Sequence, residues 1–251
     1  MRDHYAWRRM FGIVTPSANS CVQPETDRMR PAGVTNQVAR MYTPDLEVKS
    51  DDDFAKAMDL LFASIGPAVD SVITCKPDHL ILGISALTVW GGTRAAAQKL
   101  RADMRSRGGG NLEVTLPSDA ILAALKAHGV KKRIAIVEPY FPIIQPRIES
   151  FFTECGYEVV RIRHLQGPQF SQYTRVSKQY LVEALQSIDG PDVEALVQFG
   201  ANLPMASIAN DAEQWLAKPI IAVNIATYWH ALRSSGFTDQ MPGFTRLMSE
   251  F

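Results

Sequence analysis

Apolar positions along this chain follow two rhythms. Short continuous runs bounded by Gly, Pro or polar clusters read as buried strands, and recurrences every three to four residues read as amphipathic helices. The runs predict strands over residues 11–15, 37–42, 78–84, 113–116, 133–137, 157–162, 195–199 and 219–223. The helical spacing predicts helices over 55–75, 93–107, 118–128, 142–155, 177–187, 206–216 and 227–234. In the longest, Ala55, Met58, Leu61, Ala63, Ile65, Val69, Val72 and Ile73 recur on one face. Asp51, Asp52 and Asp53 ahead of it suit an N-cap and the positive end of the helix dipole. Ser118 or Asp119 is the expected cap of the helix over 118–128, with Gly129 as its stop. Pro142 starts the helix over 142–155 and Gly156 ends it.

Strands alternating with helices argue for an α/β fold with parallel sheets covered on both faces. The pattern restarts after Gly108-Gly109-Gly110. One internal echo supports a two-part design. His79-Leu80-Ile81-Leu82-Gly83-Ile84-Ser85 and Ala195-Leu196-Val197-Gln198-Phe199-Gly200-Ala201-Asn202 both run from strand to glycine to a small polar residue. This predicts two related lobes facing each other, with a boundary near residues 111–116. Residues 1–113 together with 218–251 are assigned to the first lobe and 114–217 to the second. The last strand and helix, from Lys218 onward, are expected to return to the first lobe.

Composition narrows the function classes. Lys+Arg equals Asp+Glu at 26 each, so charge gives no reason to expect nucleic acid or an acidic membrane surface as partner. No apolar stretch is long enough for a membrane span, and residues 1–10 are charged and aromatic, without a signal-peptide core. Cys21, Cys75 and Cys155 are odd in number and widely spaced, which predicts reduced thiols, a cytoplasmic location and neither a disulfide framework nor a zinc site. Cys75 and Cys155 are expected to fill core space. The apolar-rich helices make a homodimer or higher homo-oligomer the expected assembly.

In open parallel sheets, ligands bind beyond the carboxyl ends of the strands. Four such places stand out: Thr15-Pro16-Ser17-Ala18-Asn19, Gly83-Ile84-Ser85, Glu138-Pro139-Tyr140 and Gly200-Ala201-Asn202. Hydroxyls, amides and main-chain N–H groups converging from several strand ends suit a carboxylate or an enolate-like oxyanion. Each residue also has a structural reading. Asn19 caps a turn or meets a ligand, and Ser85 caps the following helix or does the same. Tyr140 packs or lines the site, and Asn202 is a loop amide or a ligand contact. Glu138 is an ion-paired glutamate or a desolvated acid/base with a raised pKa. Asn224 and Thr227, at the last strand–helix turn, are further candidates. Trp90, beside Gly91-Gly92, walls the pocket or joins the core. His230 reads as a helix-surface or packing histidine, His79 begins a buried strand, and His164 sits in a loop covering the pocket. Neither His79 nor His164 has a carboxylate partner visible in sequence. Cys21 lies close enough to the Asn19 turn to approach the pocket.

At this point a family resemblance becomes specific. Phe11-Gly12-Ile13-Val14-Thr15-Pro16-Ser17-Ala18-Asn19-Ser20, followed by Gln23-Pro24-Glu25-Thr26, resembles the opening of maleate isomerase relatives. Arg133–Tyr140 is similar to the segment that brings a tyrosine to their site, and 221–233 to their closing strand–helix unit. The likeness spans residues 11–244 and is to the maleate cis-trans isomerase and arylmalonate decarboxylase branch of the aspartate/glutamate racemase superfamily. It implies two pseudo-symmetric Rossmann-like lobes with the active site in the cleft between them. It also implies a small carboxylate or dicarboxylate substrate and no metal or organic cofactor. It assigns Asn19 to a substrate carboxylate. It places the family's catalytic cysteines at Gly83 and Gly200, so this chain carries no thiol at either position. Ile84 stands where the decarboxylase has a threonine. The resemblance therefore implies the scaffold and an anion hole, with substrate contacts from Pro16, Ser17, Asn19, Gly83, Ile84, Ser85, Gly200, Ala201, Asn202 and Asn224. It does not give the reaction. The expectation is a cofactor-independent lyase or isomerase acting on a maleate- or arylmalonate-like acid, with Tyr140 and Glu138 handling protons. The alternative is a catalytically silent carboxylate binder or a partner of an active enzyme. The two glycines are expected to leave open room where the thiols would stand.

Overall fold

The computed structural model describes residues 3–251. Among these residues, eight strands form two separate four-stranded sheets, parallel throughout. The first contains β1 (Arg9–Pro16), β2 (Val34–Met41), β3 (His79–Leu82) and β4 (Glu113–Thr115) in the order β2-β1-β3-β4. The second contains β5 (Arg133–Glu138), β6 (Glu158–His164), β7 (Ala195–Gln198) and β8 (Ile220–Ala222) in the order β6-β5-β7-β8. The second order repeats the first, which is the pseudo-symmetry that the sequence echo predicted. The central strands β3 and β7 are buried at every position, as expected of strands covered on both faces. Each fully buried Leu or Ile there contributes roughly 1.5–3 kcal/mol over leaving it exposed.

Among the described residues, ten α-helices cover the sheets: α1 (Val22–Arg28), α2 (Asp51–Ile73), α3 (Ala86–Val89), α4 (Arg94–Arg107), α5 (Pro117–Ala127), α6 (Gln145–Glu154), α7 (Lys178–Ile188), α8 (Ala206–Leu216), α9 (Val223–Ser234) and α10 (Arg246–Glu250). Helix α2 buries Phe54, Ala57, Met58, Leu61, Ile65, Ala68, Val69 and Val72, a stripe at helical spacing. Its cap is Ser50, whose side chain accepts from the Asp53 N–H at 3.2 Å; the three aspartates form its first turn. Helix α5 departs from expectation. Pro117 holds its first turn, Leu116 precedes it, and the Ser118 hydroxyl is buried without a protein partner. A proline at the first helical position needs no N–H acceptor, so Ser118 is inside the helix and not its cap. Helices α1, α3 and α10 lie outside the predicted set, being too short to show a period.

The predicted boundary needs correction at the last strand. Leu196, Val197 and Gln198 pair with Ile220, Ile221 and Ala222, so β8 completes the second sheet and does not return to the first. The next element does cross: α9 packs on β3, β4 and α1 of the first lobe, and on α5. The chain therefore changes lobe at the strand-to-helix turn, a place that hydrophobic runs cannot mark. Cysteine burial also differs from expectation. Cys75 is exposed in the turn after α2, Cys155 is half-buried and Cys21 is buried. No helix among the described residues is long and apolar enough to cross a membrane.

Candidate active site

A cavity lies between the lobes at the carboxyl ends of β1, β3, β5 and β7. Pro16, Asn19, Ile84 and Ala86 line it from the first sheet, and Tyr140, Ala201 and Asn202 from the second. Met58 and Leu61 of α2 close one side, and Phe170 and Tyr173 close another. The last two belong to a short 3-10 segment, Phe170–Arg175. The cavity holds only about 40 Å³. Among the described residues, no Lys, Arg, His, Asp or Glu lines it.

The first-lobe side is built on a turn. Pro16 ends β1, and the Asn19 N–H donates to the Pro16 carbonyl at 3.0 Å. The Asn19 Oδ1 accepts from the N–H groups of Cys21 and Val22, both at 2.9 Å. That satisfies first-turn donors of α1. Both readings of Asn19 therefore hold together: its oxygen caps, and its side chain lines the cavity. Among the described residues, no acceptor takes the Asn19 Nδ2 or the main-chain N–H groups of Ile84, Ser85, Ala201 and Asn202. Ser85 makes no cap bond. Its fully buried hydroxyl instead meets the Tyr140 hydroxyl at 2.9 Å across the lobe boundary.

The second-lobe side is organised around Glu138. This carboxylate is completely buried, yet it turns away from the cavity. One oxygen accepts from the Tyr140 N–H and the other pairs with His164 Nδ1. His164 is the register partner of Glu138 on β6, and its Nε2 meets Gln145 Oε1 at 3.0 Å. Burial pushes the Glu138 carboxyl up, and the His164 bond opposes that. A buried charge needs such partners. The expected proton carrier thus does not line the cavity; it holds the backbone of the segment that carries Tyr140. Burial also raises the Tyr140 hydroxyl, against the opposing bond from Ser85, so the phenol stays protonated. His164, placed by the sequence in a covering loop, is the last residue of a strand and does have a carboxylate partner.

The two thiol-position glycines do not leave the room expected of them. A Cβ on Gly83 would sit 3.0 Å from both Thr15 Cβ and Val22 Cγ1. Gly200 has φ +129°, and a Cβ there would collide with the Pro139 ring. Neither glycine lines the cavity; their neighbours Ile84 and Ala201 do. Other candidates fall outside as well. The Ser17 hydroxyl is spent on Thr43, donating to its carbonyl at 3.1 Å and accepting from its N–H at 3.2 Å. The Asn224 amide donates to Glu25 Oε2 at 2.7 Å and to the Ala201 carbonyl at 3.0 Å, in a buried cluster with Cys21 behind the wall. Burial pushes the Cys21 thiol up, which removes it as a nucleophile. Thr227 bonds within its own helix to the Val223 carbonyl. Trp90 stacks edgewise on Phe54 under the Arg147 guanidinium. His79 and His230 share the Thr115 hydroxyl far from the site, His79 being buried at the start of β3.

Asn202 has a second duty. Its Nδ2 donates to the Phe170 carbonyl at 2.6 Å and to the Ala18 carbonyl at 3.3 Å, while its Oδ1 accepts from the Ser20 N–H at 3.0 Å. It therefore ties both lobes to the segment carrying Phe170 and Tyr173. Further straps join that segment to the first lobe: the Val48 N–H to the Pro168 carbonyl at 2.7 Å, the Glu47–Gln169 bridge, and Ser20 to Thr174 at 3.1 Å. Sequence reasoning missed Met58, Leu61, Ala86, Phe170 and Tyr173. The available signal for the last two was the breaker Gln166-Gly167-Pro168 after β6, followed by paired aromatics.

Comparison with known proteins bears on the fold and the family. The sequence model of the arylmalonate decarboxylase family matches residues 71–248. A maleate isomerase of Nocardia farcinica is 23% identical over 246 residues, covering 96% of each chain. One from Geobacillus stearothermophilus is 22% identical over 149 residues, covering 59% of each. Among solved structures, Nocardia farcinica maleate cis-trans isomerase bound to TRIS aligns with a TM-score of 0.85 at 20% identity, covering 96% of this chain and 98% of that one. Arylmalonate decarboxylase aligns with a TM-score of 0.75 at 21% identity, covering 95% and 98%. The family match covers most of the chain and these folds coincide with both lobes: this chain belongs to the arylmalonate decarboxylase family, in the branch it shares with maleate isomerase.

Proposed function

We propose that this chain is a cofactor-independent enzyme of lyase or isomerase type that acts on a small carboxylic acid, maleate- or arylmalonate-like. The observation that carries the reading is the convergence of neutral donors on one apolar cavity. Asn19 and Ile84, whose main-chain N–H has no acceptor among the described residues, come from the first lobe. The Tyr140 hydroxyl and the N–H groups of Ala201 and Asn202 come from the second. Uncharged donors fixed in a water-poor site favour charge that develops on an oxygen during reaction. Loss of CO₂ from an activated acid, or a proton shift next to its carboxylate, needs such a hole and no nucleophile. A protonated phenol at Tyr140, held by Ser85, then returns a proton to the resulting carbanion. Met58, Leu61, Ile84 and Phe170 favour an acid with an apolar substituent.

Chemistry through paired thiols is not part of this proposal. The positions matched to the family cysteines are glycines packed against Thr15, Val22 and Pro139, and the residues facing the cavity there are Ile84 and Ala201. The test is turnover by carbon NMR on maleate and substituted malonates, with Tyr140→Phe and Asn19→Asp alongside the wild type. The expected result is loss of turnover in both variants; equal turnover in all three would defeat the mechanism. One observation favours a second reading, the silent carboxylate binder. Among the described residues, no side chain that titrates near neutral pH lines the cavity. Tight binding of an acid by the wild type, with no chemical change over days, would select that reading.

A further inference from the structure

The cavity contains a second phenol that the proposed reaction does not use. Tyr173 lines the cavity from the Phe170–Arg175 segment. It is 3% exposed, and its hydroxyl is buried with no partner among the described residues. Tyr140, by contrast, has its hydroxyl held by Ser85 at 2.9 Å. The two rings lie 6.4 Å apart, centroid to centroid, at 60°. Buried polar groups are almost always satisfied, and tyrosine hydroxyls in particular find partners when buried. A phenol sealed from solvent without a protein acceptor is therefore a group kept for something else.

The surrounding chain is built to keep it there. Gly167 runs against the Tyr173 ring, and a Cβ at that position would overlap it. The Gly167 N–H is tied to the Pro139 carbonyl at 3.0 Å, which anchors this stretch to the segment that carries Tyr140. Phe170 packs edgewise on Tyr173 at 5.6 Å, and the Phe170 carbonyl is held by Asn202. Burial keeps the phenol protonated, with Tyr140 and Glu138 adding to the shift. A protonated hydroxyl donates. Its natural acceptor in this cavity is an oxygen of the bound acid.

We infer that Tyr173 is a ligand-contacting residue, donating a hydrogen bond to a carboxylate oxygen of the acid. The inference rests on the carboxylate-site reading above and goes beyond it. It makes the segment Phe170–Arg175 part of the binding site as well as its cover. An acid held on both sides has its carboxylate plane fixed between the lobes, which sets the face open to Tyr140.

The test uses the full chain and three probes, maleate, phenylmalonate and succinate, titrated by calorimetry into wild type and Tyr173→Phe. The phenylalanine variant keeps the ring and removes only the donor. The expected result is about tenfold weaker binding of whichever probe the wild type binds best, or about 1.4 kcal/mol. The melting temperature of the free variant should not be lowered, since no protein bond is lost. A purely structural tyrosine gives the reverse: a lowered melting temperature with unchanged affinity. Unchanged affinity in Tyr173→Phe beside a binding wild type overturns this inference alone. A wild type that binds none of the three acids overturns the carboxylate-site reading and this inference with it.

Discussion

The two lobes offer the same four strand ends in the same order, yet they equip them differently. The first lobe brings short side chains and main-chain donors: the amide of Asn19 on a capped turn, and Ser85 at the end of β3. The second lobe brings long aromatic donors set by a buried carboxylate, with Glu138 holding the Tyr140 backbone. The corresponding glycines differ in the same way. Gly83 has an ordinary backbone and neighbours at 3.0 Å, whereas Gly200 has φ +129° under the Pro139 ring. A symmetric scaffold therefore fixes where groups arrive but not which groups they are.

The glycines give the sharpest way to break this comparison. Gly200→Ala is expected to cost about 3 kcal/mol or more, because it combines a backbone region open essentially to glycine with an overlap. Gly83→Ala should cost about 1 kcal/mol, since Thr15 and Val22 need to give only a few tenths of an ångström. Urea unfolding of both variants checks this, and equal costs would show that the lobes are alike at these ends. Next in size, Tyr140→Phe should lower kcat by about 100-fold, the usual scale for losing a proton donor. Asn19→Asp keeps the oxygen that caps α1 and places negative charge beside the acid. It should weaken binding of a carboxylate by about tenfold while leaving the melting temperature nearly unchanged. If binding is unchanged as well, the cap reading alone is sufficient. Asn202→Ala should cost about 1–2 kcal/mol, through lost bonds to Phe170, Ala18 and Ser20. Limited proteolysis near Phe170 should report it first.

The smallest expected effect concerns pH and lies away from the site. His79 is buried in β3, and desolvation, helped by Arg9 and His230, holds its pKa down at about 3. The unfolded chain binds that proton near pH 6.5. Stability from this group is therefore complete above pH 6.5 and is lost as pH falls toward 3. His79→Gln should flatten the fall in melting temperature between pH 6 and 4, and an unchanged slope would show that His79 is not responsible.

Much of this was legible in the sequence, for reasons that also mark the limit. Buried strands announce themselves as apolar runs, and ligands gather at their carboxyl ends. Pro16, Asn19, Ile84, Tyr140, Ala201 and Asn202, expected at those ends, all line the cavity between the lobes. What failed was direction. Glu138 and Tyr140 are two residues apart around a proline, and one faces His164 while the other faces the cavity. Only the register of β5 against β6 decides that. Asn224 sits at the expected turn, but α9 crosses to the other lobe there and points the amide at Glu25. Tyr173 belongs to no periodic element, so neither rhythm of the sequence marks it.

The straps over the cavity carry a kinetic consequence. On the proposed carboxylate reading, room for about 40 Å³ suits a few water molecules better than a substituted malonate, and binding one would call for the segment near Phe170 to shift. In many enzymes such opening, and not bond-making, limits the rate. On that reading, the residence time of the acid would depend on Asn202 and the Val48–Pro168 strap. Loosening them would shorten the stay of product while also admitting water to the carbanion. The same few hydrogen bonds thus trade speed of release against fidelity of protonation.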